Sequence, residues 1–95
     1  MGRSSTYKQY AFKQNTSKLL LLQREQIQQR LGERIRELRL KRGWTQDVFA
    51  ERAGFHRAQI GAFERGEMNI TLASLHLIAE TLGVKIIDLF RGVEE

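Results

Sequence analysis

Ninety-five residues suffice for one small domain with a tail, and a core of that size is marginal without help from association. The absence of cysteine excludes disulfides and thiolate metal sites. The formal charge of +5 is unevenly placed. Residues 1–42 carry eleven Lys/Arg against three Glu, a balance of +8, whereas residues 43–95 carry five Lys/Arg against eight Asp/Glu, a balance of −3. A basic half of this kind suits a polyanionic partner.

Residues 1–18 are polar and basic, with Arg3, Lys8, Lys13 and Lys18 interleaved with Tyr7, Tyr10 and Phe12 and no periodicity. They read as a flexible basic arm that either contacts phosphates or a groove, or remains a solvated tail. From residue 19 the pattern is helical. Leu20, Ile27, Leu31, Ile35 and Leu38 fall at steps of seven, four, four and three, which is one helical face. Gly32 disfavours a helix interior by about 1 kcal/mol and predicts a boundary or kink there. Residues 19–30 are therefore read as a helical extension and residues 31–90 as the domain proper. Gly43 is the expected end of this element.

Thr45 is a good N-cap for a second helix, residues 46–53, closed by Gly54. Phe55 enters the core, and His56 or Arg57 starts a third helix that runs to about Arg65. Thr71 caps a fourth helix, residues 72–82, with an apolar face of Leu72, Leu75, Ile78, Ala79 and Leu82. Val84, Ile86, Ile87, Leu89 and Phe90 form a short fifth helix that is apolar on most sides, leaving residues 91–95 as a C-terminal tail. Strand-forming runs are scarce and proline is absent, so the fold class is all-α.

Several functions are excluded by what the chain lacks. Its longest apolar run is the four residues Leu19, Leu20, Leu21 and Leu22, too short to span a bilayer or form a signal-peptide core. No membrane association and a cytoplasmic, nucleoid-associated location are expected. His56 and His76 lie twenty positions apart without a carboxylate pattern for metal, and no Ser-His-Asp set, phosphate-cradling glycine loop or acid–base carboxylate pair is visible. No catalysis, cofactor or metal is expected.

Two short helices joined by a tight turn can hold one of them proud of the surface, where it fits the major groove, about 12 Å wide. This geometry needs a small residue where the helices cross (Ala50), a turn residue tolerant of positive φ (Gly54) and apolar residues on one side of the second helix (Ile60 and Phe63). With Gln46 these sit at steps of four, four, six and three. Together with the segments Arg34-Ile35-Arg36-Glu37-Leu38-Arg39, Trp44-Thr45-Gln46, Phe63-Glu64-Arg65-Gly66 and Asn69-Ile70-Thr71-Leu72, this set resembles the Cro/C1-type (XRE) helix-turn-helix family of bacterial and phage regulators over roughly residues 31–90. The resemblance implies a five-helix, lambda-repressor-like DNA-binding domain with its motif at residues 46–65. It also implies a phosphate-binding role for Gln46 and a buried ion pair between Arg39 and Glu64. The stretches from Arg57 to Gly61 and from Glu64 to Thr71 further resemble restriction–modification controller proteins.

The outer face of the third helix is the expected reading surface. Arg57 is the first candidate for base recognition, because a guanidinium reads guanine O6 and N7 bidentately. Ala58 and Ala62 suit a thymine methyl, and Gln59 suits adenine or a phosphate. Thr45, Gln46, Asn69 and Thr71 lie at helix starts, where free N–H groups favour phosphate, and His56 at the start of the third helix is either a cap or a phosphate contact. Glu67 and Met68 stand where the family commonly has basic residues, which removes favourable charge near the backbone; Ala58 and Ala62 are short where many relatives have polar readers, so specificity is expected to lean partly on DNA shape. The expected function is sequence-specific binding of double-stranded DNA, with a palindromic or repeated operator, by a homodimeric transcriptional regulator joined through Ile86, Ile87 and Phe90. The alternative is an antitoxin or other protein-interaction module, in which a partner protein engages the stretch from Leu19 to Gln28.

Overall fold

The computed structural model describes residues 13–94, and these form five helices joined by short turns. They are α1 (Lys13–Lys41), α2 (Gln46–Ala53), α3 (Arg57–Glu64), α4 (Leu72–Leu82) and α5 (Ile86–Leu89). The all-α, five-helix expectation holds. The arm was expected to reach residue 18, but residues 13–18 belong to α1; the rest of that expectation, residues 1–12, falls outside the described residues.

Helix α1 runs unbroken for 29 residues through Gly32, where a boundary or kink was expected. The reason is steric. A Cβ at Gly32 would lie 2.5 Å from the carbonyl oxygen of Glu64 and closer still to that of Phe63. Glycine is therefore required so that the C-terminal end of α3 can cross α1 backbone to backbone, and this packing outweighs its low helix propensity.

The apolar stripe of α1 enters the core from Ile27 onward, while Leu19, Leu20, Leu21 and Leu22 remain exposed. Ile35, Phe49, Ile60, Ile78, Leu82, Leu89 and Val93 are the fully buried large side chains. Val93 corrects the expected 91–95 tail: the chain folds back after α5 and inserts this residue into the core. Leu72 is a second correction. It was placed on the apolar face of α4 but is 72% exposed, because the first turn of that helix projects past the core.

Thr45 and Thr71 each accept a hydrogen bond from the backbone N–H three residues on, at 3.1 Å, and so cap α2 and α4. Gly54 ends α2 with φ 81°, the left-handed turn that releases the chain into α3.

Arginines of α1 close the C-terminal half of the molecule. Arg42 donates to the Leu82 carbonyl through Nε at 3.1 Å and Nη2 at 2.6 Å, Arg34 Nε to the Asp88 carbonyl at 2.9 Å, and Arg30 Nη1 to the Val93 carbonyl at 3.2 Å. Cations at helix C-termini satisfy orphan carbonyls and match the helix dipole. Part of the basic charge that reads as polyanion-binding in the sequence is thus structural.

The backbone N–H of Lys85 donates to Asp88 Oδ2 at 3.0 Å, closing the first turn of α5. That bond, and secondarily Arg91, holds the Asp88 carboxyl below its ordinary value. A depressed folded-state pKa contributes stability above the unfolded value, about 3.9, that is lost as pH falls through the folded one. Unfolding midpoints measured from pH 6 downward should therefore fall less steeply below about pH 4 for Asp88→Asn than for the wild type.

Candidate nucleic-acid interface

The α2–turn–α3 unit is assembled by apolar contacts on its inner side. Phe49, Ala50 and Ala53 of α2 and Ile60 and Phe63 of α3 are buried, and Phe55 in the turn meets Phe63 edge-to-face at 5.4 Å. The opposite side of α3 is left to solvent. Arg57 is 67% exposed at its first turn and Ala58 is exposed beside it, while Gln59 and Ala62 are half-buried.

A network of hydrogen bonds fixes how α3 sits. Glu64 accepts from Arg39 Nε at 2.6 Å and Nη2 at 3.0 Å, and from Gln46 Nε2 at 3.0 Å. Arg39 Nη1 donates to the Trp44 carbonyl at 2.7 Å. Both charged groups are buried, and four elements of the chain are tied at this point: α1, the turn after it, and the two helices of the motif. Trp44 covers the core, stacked on Phe49 at 6.1 Å, with the Arg52 guanidinium 4.9 Å from its ring centroid.

The sequence-predicted contacts fall into two groups. Arg57, Ala58 and Gln46 come together with Gly61 and Arg65 around one shallow recess on the outer face of α3. Thr45 lies at the start of α2 next to it, its oxygen engaged in the cap but its hydroxyl hydrogen available as a donor. Asn69 and Thr71 are on the separate turn that leads into α4; Thr71 Oγ1 donates to Ser74 Oγ at 3.0 Å. His56 is the residue before α3, and its backbone N–H donates to Gln59 Oε1 at 2.9 Å. The Gln59 side chain therefore folds back onto its own helix start, leaving Nε2 as its outward donor.

Arg65 was not among the sequence-derived candidates, yet it borders the same recess as Arg57 and is 60% exposed. Its position in the family-like order Glu64-Arg65-Gly66 was the available signal; what the sequence withheld was that Glu64 is buried and Arg65 exposed. In the free protein both guanidiniums lean on carboxylates: Arg65 Nη2 is 3.0 Å from Glu67 Oε1, and Arg57 Nε is 3.6 Å from Asp47 Oδ1. The hydrogen bond to Arg65 holds the Glu67 carboxyl below its ordinary value.

Of the expected interface residues on α5, Ile86 packs partly against the core, whereas Ile87 and Phe90 are 69% and 40% exposed. Among the described residues no His, Asp and Glu cluster is placed to hold a metal ion, and no helix is long and apolar enough to cross a membrane.

Comparison with known proteins agrees with this architecture. The helix-turn-helix family HTH_3 matches residues 35–89. Control protein C.SmaI of Serratia marcescens is 37% identical over 60 residues, covering 63% of this chain and 71% of that protein. The crystal structure of the restriction-modification controller protein C.AhdI from Aeromonas hydrophila superposes with a TM-score of 0.64 at 34% identity, over 65% of this chain and 94% of that one. A controller protein C.Esp1396I, solved as a tetramer in complex with its natural 35 base-pair operator, superposes with a TM-score of 0.64 at 30% identity, over 70% of this chain and 88% of that one.

Proposed function

The chain belongs to the HTH_3 helix-turn-helix family of transcriptional regulators, and from that premise we propose that it is a homodimeric, sequence-specific double-stranded-DNA-binding regulator of the controller-protein kind, without catalytic activity. The observation that carries this reading is the two-sidedness of α3. Ile60, Phe63 and Glu64 are locked inward, while Arg57, Ala58 and Arg65 stand out around one recess. A helix presented in this way enters the major groove with its N-terminal residues on base edges.

In this reading Arg57 is the principal base reader, and Ala58 and Ala62 pack against thymine methyls. Gln59 supplies one amide donor. Thr45, Gln46 and His56 anchor phosphates on one side of the groove, and Asn69 and Thr71 on the other, with Arg65 added to the set. Two copies joined through the exposed Ile87 and Phe90, with Ile86 behind them, place two such helices on half-sites about one helical turn apart.

The test is selection of bound duplexes from a random DNA pool, followed by gel shift on the enriched sequence. A discrete complex that survives excess competitor DNA supports the proposal; enrichment of no common sequence sinks it. Arg57→Ala should weaken binding to the selected duplex by about 1–3 kcal/mol and relax selection at the contacted base pair, read by repeating the selection with the variant. Light scattering at micromolar concentration reports the dimer, and a strict monomer that still binds a two-fold site tightly argues against it.

A further inference from the structure

Helix α1 also braces the turn between α3 and α4. Gly66, with φ 73°, passes so close to it that a Cβ there would lie 2.7 Å from the Cα of Gln29. Two residues further, Met68, Asn69 and Ile70 share a groove with Leu20, Ile27 and Leu31 of α1. Across the edge of that groove Gln28 Nε2 donates to Asn69 Oδ1 at 2.5 Å. Gln28 lies ahead of residue 35, where the family match begins, so this contact comes from the part of the chain that the match does not cover.

The direction of that hydrogen bond matters for DNA. A carboxamide has one end that accepts and one that donates, and a phosphate oxygen only accepts. An Asn69 free to turn presents its oxygen to the phosphate as readily as its NH2, and the former arrangement is repulsive. Engaging the oxygen from behind leaves the NH2 as the outward end.

We propose that Gln28 is a positioning residue for DNA binding: it holds the Asn69 carboxamide with its oxygen toward α1 and its NH2 toward the DNA backbone. The proposal rests on the reading of Asn69 as a phosphate contact. It assigns the segment of α1 before the matched domain a part in DNA binding without touching DNA. Gln28→Ala frees the carboxamide to turn. Gln28→Glu is more severe, because a carboxylate only accepts and draws the Asn69 NH2 inward, exposing Oδ1 to the phosphate.

The experiment measures the affinity of the full chain for the duplex selected from the random pool, by fluorescence anisotropy, for Gln28→Ala, Gln28→Glu, Asn69→Ala and the two double variants. Side-chain amide NMR spectra are recorded without DNA, and melting temperatures check folding. Asn69→Ala should weaken binding about tenfold, the scale of a hydrogen bond to a charged group, and Gln28→Ala about twofold, the cost of a carboxamide that starts in the competent one of two orientations half of the time. Gln28→Glu should approach or exceed the Asn69→Ala loss. Once Asn69 is alanine, Gln28→Ala should cost nothing further, and Gln28→Glu should retain only its charge effect.

In the free protein Gln28→Ala should shift the Asn69 side-chain NH2 resonances. If Asn69→Ala leaves affinity unchanged, the phosphate reading of Asn69 fails and takes the proposal with it. If Asn69→Ala weakens binding but Gln28→Ala does not, or costs as much without Asn69, the phosphate reading stands and the proposal is overturned. Unmoved Asn69 resonances in Gln28→Ala overturn it as well.

Discussion

Glu64→Ala should destabilise the protein by about 3–5 kcal/mol, the usual cost of leaving one member of a buried ion pair without its partner. The Arg39 guanidinium is buried and directs Nε and Nη2 to that carboxylate, so alanine removes both acceptors at once. The same carboxylate accepts from Gln46, so the start of α2 loses its tether to the end of α3 in the same step. A domain of this size has about 5–15 kcal/mol in total, so the variant should lose a large fraction of its stability. Urea titration followed by circular dichroism measures it. The contrast is Arg39→Met combined with Glu64→Leu, which removes both charges and should recover most of the loss. A single Glu64→Ala as stable as the wild type would mean that the pair is not formed in solution.

The second large effect is expected at Gly32. Judged by helix propensity alone, Gly32→Ala should stabilise a mid-helix position by about 1 kcal/mol. The packing gives the opposite sign. The new methyl meets the carbonyl oxygens of Phe63 and Glu64, which are backbone atoms at the end of another helix and cannot rotate aside. Overpacking of this kind costs about 1–3 kcal/mol, and after the propensity gain of about 1 kcal/mol a net loss of up to about 2 kcal/mol is expected as α1 and α3 are pushed apart. Gly61→Ala is the internal control. Its one tight Cβ contact is the end of the Arg65 side chain, at 3.0 Å, which can swing away, so that variant should be neutral or slightly stabilised. Thermal melts of the two variants side by side decide the matter: if Gly32→Ala is the more stable of the pair, the close crossing is absent in solution.

The elements were legible because their signals are local. Thr45 and Thr71 before helical runs, Gly54 and Gly83 after them, and the spacing of Ala50, Gly54, Ile60 and Phe63 gave α2, α3 and α4 nearly to the residue. The pairing of Arg39 with Glu64 was expected only through the family resemblance, since nothing within 25 residues of sequence between them announces it. The failures share one cause. Gly32 and Val93 were judged by their neighbours in sequence, as a helix breaker and a tail residue. Their real partners are the end of α3 and, through the Val93 carbonyl, Arg30, 63 positions away. Arg30, Arg34 and Arg42 counted toward a basic surface because a charge total does not distinguish a guanidinium facing solvent from one facing a carbonyl. At the candidate site, the exposure of Arg57 was legible from its place at a helix start. That of Arg65 was not, because its outward direction depends on Glu64 being anchored inward.

The pairing of Arg57 with Asp47 and of Arg65 with Glu67 bears on how the protein would search for its site. A guanidinium resting on a neighbouring carboxylate projects little field at a distance, so the reading face would add little to long-range attraction. These exposed pairs are weak, roughly 0–1 kcal/mol each, and easily exchanged at contact. A correct base pair would then compete successfully with Asp47 for Arg57, whereas an incorrect one would leave the arginine where it was. Discrimination between sequences would accordingly be felt in the length of each visit rather than in the frequency of arrival.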